Sequence, residues 1–146
     1  MALSLHDNFL VSYEVQCEAR TITLRTENRA ANRPIEFVNA IFTGVEGYHL
    51  ENDAFGNIVF DLETMPVEEL LNQYGTEISE SYRLAGSPGP WAANLATAPG
   101  YLREQSVQGF SLNSSCGLSG WVLARTMSCL GSTRRFRREG VLNSQS

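Results

Sequence analysis

The chain has 146 residues, is 42% hydrophobic and 18% charged, and carries a formal net charge of -5. This length and balance suit one folded domain with a real core and exclude a disordered chain. No apolar run of about eighteen residues is present, which excludes a transmembrane helix, and Met1 to Asp7 lacks the basic and apolar regions of a signal peptide, so a cytoplasmic location is expected.

The first strand is expected from Phe9 to Cys17, where Phe9, Val11, Tyr13, Val15 and Cys17 alternate with Leu10, Ser12, Glu14 and Gln16. Ile22 and Leu24 alternate with Thr21, Thr23 and Arg25 in a second strand, close enough to form an antiparallel hairpin with the first. Residues 28–34 read as a loop. Ile35 to Val45 is apolar on both faces, with Phe37 and Ile41 on one and Val38, Ala40 and Phe42 on the other, which predicts a strand covered on both sides. Gly44 and Gly47 bracket a bend or bulge. A short strand at Tyr48–Asn52 and a turn at Asp53–Asn57 follow. Ile58, Phe60 and Leu62 then alternate with Val59, Asp61 and Glu63 in a further strand.

Pro66, Glu68 and Glu69 fit the first turn of a helix. Val67, Leu70, Leu71 and Tyr74 form its apolar stripe, and Gly75 is read as its C-terminal cap, with Ile78–Leu84 as a further turn or two. Gly86-Ser-Pro-Gly-Pro90 breaks the chain, Trp91 is the only large anchor that follows, and a short helix is expected at Pro99–Ser106. Phe110–Ser115 and Trp121–Cys129 flank a turn at residues 116–120 and predict a second hairpin, with Trp121 buried on one face with Leu123 and Met127. The fold class is therefore α+β: a mainly antiparallel β sheet or sandwich of about six to seven strands, with one firm helix and one or two short ones. Residues 1–130 form the domain, and residues 131–146 a disordered basic tail.

Chemical motifs are sparse. There is no P-loop, G-x-S-x-G elbow, HExxH or dinucleotide fingerprint, so no cofactor is expected. Three widely spaced cysteines, Cys17, Cys116 and Cys129, suit neither a disulfide framework nor a zinc ribbon and are read as small packed side chains. Ser114 to Gly117 reads as a hairpin turn rather than a nucleophile turn, and His6-Asp7 as an ordinary turn.

Charge is the most distinctive property. Ten carboxylates and no basic residue lie between Arg33 and Arg83, nine of them within residues 46–80. Lysine is absent, and four of the eleven arginines cluster at Arg134, Arg135, Arg137 and Arg138. An acidic block of this kind is a solvated face or a binding face for a basic protein, with Glu51, Asp53, Asp61, Glu63, Glu68 and Glu69 as candidate partner-binding residues. The rival reading is a small metal-dependent hydrolase using His49, Glu51, Asp53, Asp61 and Glu63, since Glu51-x-Asp53 and Asp61-x-Glu63 each put two carboxylates on one side of a strand. Phosphate repulsion disfavours nucleic acid on the body, leaving the 134–138 arginine cluster as the one stretch suited to it.

Three segments, Leu5–Phe9, Gly56–Glu63 with the Pro66 helix, and Ser114–Ala124, together resemble small bacterial proteins of the immunity-protein kind. The resemblance spans about residues 5–130 and carries no catalytic residue. It implies a stoichiometric binder in which an acidic face covers a basic toxin.

Overall fold

A computed structural model describes residues 5–29 and 34–132. Six strands form its main body: β1 (Phe9–Gln16), β2 (Thr21–Asn28), β3 (Glu36–Glu51), β4 (Asn57–Met65), β5 (Gln108–Cys116) and β6 (Ser119–Ser132). All neighbours are antiparallel, and the order β1-β2-β3-β6-β5-β4 closes into a barrel. The expected α+β class and both hairpins are present. β3 is one long strand that includes the expected short strand at its end. β6 runs two residues beyond the expected domain boundary, pairing Gly131 with Val38 and Ser132 with Phe37. The arginine cluster lies outside the described residues.

Closure is thin. β1 meets β4 only at Phe9–Ile58 and Leu10–Asn57, extended by backbone bonds from Asp7 N–H to Val59 O (2.8 Å) and from Val59 N–H to Asn8 O (2.9 Å). The interior is filled by side chains, as expected of so small a barrel. Ile22, Leu24, Val38, Ala40, Phe42, Val59, Leu112, Val122 and Ala124 line it, and Phe42 meets Phe110 edge-on at 5.3 Å. Thr26, buried among them, accepts from Asn8 Nδ2 (3.0 Å) and donates to Val38 O (2.8 Å), which satisfies the polar groups at this end.

A second core lies outside the barrel wall. Helix α1 (Val67–Ala85) sets Val67, Leu70, Leu71 and Ile78 against Trp121 and Leu123 of β6. A 3-10 turn at Pro90–Ala93 and helix α2 (Ala98–Glu104) complete this layer with Trp91, Ala92, Ala98 and Leu102.

Five expectations are corrected. Two-sided burial belongs to β6, whose Trp121-Val-Leu-Ala124 is buried throughout, while Phe37 and Ile41 of β3 stay half-exposed on the outer face. α1 does not end at Gly75, which is buried in mid-helix against Leu95. It ends at Gly86, whose φ of 68° and N–H bond to Tyr82 O make a left-handed cap. Register shifts at Leu10/Ser12 and around Val59 break the alternation of β1 and β4, so Leu10 and Val59 turn inward and Val11 and Phe60 are exposed. Met127 packs against the barrel interior rather than beside Trp121, and Cys17 and Cys116 are exposed rather than packed.

Candidate functional site

Strand pairing decides where the acidic side chains go. His49 of β3 faces Trp121 of β6, Trp121 faces Ser111 of β5, and Ser111 faces Glu63 of β4. Directly paired residues share a side of the sheet, so this row lies on the outer face. His49 and Glu63 are three strands apart, about 14 Å along the sheet at the usual interstrand spacing. His49 and Glu51 of β3 are therefore separated from Asp61 and Glu63 of β4 by β6 and β5, with Asp53 in the loop between β3 and β4. Among the described residues, no group of three or more His, Cys, Asp and Glu side chains is placed to hold a metal ion.

Each candidate has its own setting. Glu51 ends β3 and meets His49 Nε2 at 3.3 Å. With Glu77 of α1 it also raises the Tyr74 hydroxyl pKa, after the larger effect of burial. Asp53 lies in the β3–β4 loop and organises that loop. It accepts from Asn57 Nδ2 (2.9 Å), Phe55 N–H (2.8 Å) and the Tyr13 hydroxyl (3.0 Å), and these bonds, in that order, hold its carboxyl below its ordinary pKa. Asn57 Oδ1 in turn accepts from Ala54 and Leu118 N–H, tying the loop to the β5–β6 turn.

Asp61 and Glu63 stand on the outer side of β4. Asp61 accepts from Asn113 Nδ2 at 3.0 Å, and the Asp61 charge raises the pKa of Glu63. Among the described residues, no arginine is bonded to either carboxylate. Glu68 opens α1 and forms an ion pair with Arg103 of α2, while Glu69 beside it is exposed.

The arginines missed by reading the acidic block in isolation come from elsewhere in the chain. Arg20 and Arg125 both reach Glu46 (3.3 and 3.1 Å), Arg103 reaches Glu68, and Arg83 bonds Glu80 and lowers its pKa. No local signal marks Arg20, Arg103 or Arg125 as neutralising groups, because the contacts span the fold. Only Arg83, at i+3 from Glu80, follows from helical spacing. His6 packs edge-on against Phe60 at 5.3 Å and forms a 3.3 Å pair with Asp7.

This face can attract cations by charge and bond them through carboxylate oxygens. Its central pair, Asp61 and Glu63, is half-buried and exposed respectively, open to a docking surface. No helix among the described residues is long and apolar enough to cross a membrane. The chain matches no protein-family model, no curated protein and no solved structure.

Proposed function

We propose that this protein is a non-enzymatic binding domain whose outer acidic face engages a basic protein partner, in the manner of an immunity protein covering a cationic toxin. One observation carries the reading. Asp61 and Glu63 stand side by side on the outer wall, close enough for one charge to hold up the pKa of the other, and among the described residues no arginine is bonded to them. Glu46, Glu68 and Glu80 already have arginine partners within the fold. An incoming arginine or lysine would relieve the repulsion between Asp61 and Glu63 without displacing an internal ion pair. Glu51 and Glu69, both exposed, add to the negative potential of the molecule and would speed encounter.

Asp53 holds its own loop and Glu68 pairs with Arg103, which favours Asp61 and Glu63 as the centre of the contact. Affinity capture at low salt, with the wild-type chain and with Asp61→Lys/Glu63→Lys as bait, tests the proposal. The expected result is a basic protein held one-to-one by the wild type and lost by the variant. Equal capture by both baits would remove the acidic face from the function.

A further inference from the structure

Among the described residues, two arginines share one carboxylate beside a cavity between the barrel end and the helical layer. Six arginines are described, and four of them, Arg25, Arg29, Arg83 and Arg103, each pair with a carboxylate of their own. The other two share Glu46. Its side chain is only 9% exposed, and its Oε2 accepts from both Arg125 Nη1 (3.1 Å) and Arg20 Nη1 (3.3 Å).

Arg125 is the fixed partner of the two. It is also tied to Gly44 O (3.3 Å) and Gln105 Oε1 (3.2 Å). Arg20 is 60% exposed, and this single contact to Glu46 is its only ion pair among the described residues. Glu18, in the same β1–β2 turn, is exposed and forms no ion pair with it. A guanidinium carries five N–H donors, so Arg20 keeps donors for an incoming acceptor.

Arg20 and Glu46 line a cavity of about 450 Å³ together with Pro88, Trp91, Thr97 and Tyr101. That volume falls within the range of roughly 300–1,000 Å³ usual for small-molecule sites. A second depression of about 220 Å³ shares Arg20, Glu46 and Pro88. The wall is well fixed, because a Cβ on Gly47 would lie 3.0 Å from Pro88 and 3.4 Å from the Trp91 ring. Trp91 is 9% exposed, and its buried Nε1 has no hydrogen-bond partner among the described residues. The cavity thus combines flat apolar walls with an arginine whose carboxylate partner, Glu46, is shared with Arg125.

We propose that this cavity binds a small carboxylate with a flat apolar body. Its carboxylate would sit against Arg20, and its body against Pro88, Trp91 and Tyr101. This site is independent of the acidic face, and its charge preference is the opposite.

The probes are benzoate, the neutral benzamide and the cationic benzylammonium, each titrated into the full chain. Two indole N–H signals are followed by NMR and assigned with Trp91→Phe. Benzoate should shift the Trp91 signal saturably and leave Trp121 in place, while benzamide and benzylammonium should bind at least tenfold more weakly. Arg20→Gln should weaken benzoate at least tenfold, and Arg83→Gln, which removes the same charge from a residue that does not line the cavity, should leave it unchanged. An unmoved Trp91 signal, equal binding of benzamide, or equal weakening by the two arginine variants would overturn the proposal.

Discussion

Glu63 is the residue whose protonation reports most directly on the acidic face. The neighbouring Asp61 charge, and then a hydrogen bond with it, raise the Glu63 pKa. A folded-state value above the unfolded one means that ionised Glu63 opposes folding. That opposition is complete above the folded value and disappears as the pH falls below the unfolded one. Asp61→Asn should therefore bring the Glu63 titration down toward its ordinary range, followed by side-chain carboxyl NMR. An unchanged midpoint would show that Asp61 does not act on it. Trp121 illustrates the opposite kind of residue. It is 4% exposed, and Tyr74 packs on it at 5.9 Å between ring centres. Truncating such a buried side chain to Ala costs about 3–5 kcal/mol, so Trp121→Ala should lower the denaturation midpoint severely. A midpoint equal to wild type would contradict its place in the second core.

At the scale of elements, α1 and β6 hold the two cores together. α1 begins where Pro66, Glu68 and Glu69 predict, because those signals are local. Its end was misplaced because a mid-helix glycine facing Leu95 looks, in sequence, like a cap. Gly86 is the true stop, and its left-handed backbone costs an L-residue about 1–2 kcal/mol. Gly86→Ala should therefore lower stability by about that amount with an unchanged m-value in urea, whereas no loss would argue against the cap. Strands were legible wherever alternation ran unbroken, as in β2. β1 and β4 were misread on their facing because single-residue bulges flip every side chain beyond them, and a bulge leaves no mark in a hydrophobic pattern. Barrel closure through Phe9–Ile58 and Leu10–Asn57 was illegible for a related reason: two residue pairs, distant in sequence, decide it.

At the scale of the whole molecule, the charge pattern seen in sequence is partly dissolved by folding. The block between Arg33 and Arg83 contains no basic residue, yet Glu46 and Glu68 receive arginines from β6, α2 and the β1–β2 turn. Among the described residues, seven of the ten block acids, Glu36, Glu51, Asp53, Asp61, Glu63, Glu69 and Glu77, form no ion pair with an arginine, and of these Asp61 and Glu63 stand side by side on β4. Reversing Glu68 would break its pair with Arg103, so a clean test leaves that residue alone. The decisive measurement is the association rate of the captured partner with the wild type and with Asp61→Lys/Glu63→Lys, at low ionic strength and at about 0.15 M, where the Debye length is about 8 Å. The account predicts fast, strongly salt-dependent association for the wild type and slow, nearly salt-independent association for a variant that melts normally. Equal rates for the two proteins at both salt concentrations would contradict it.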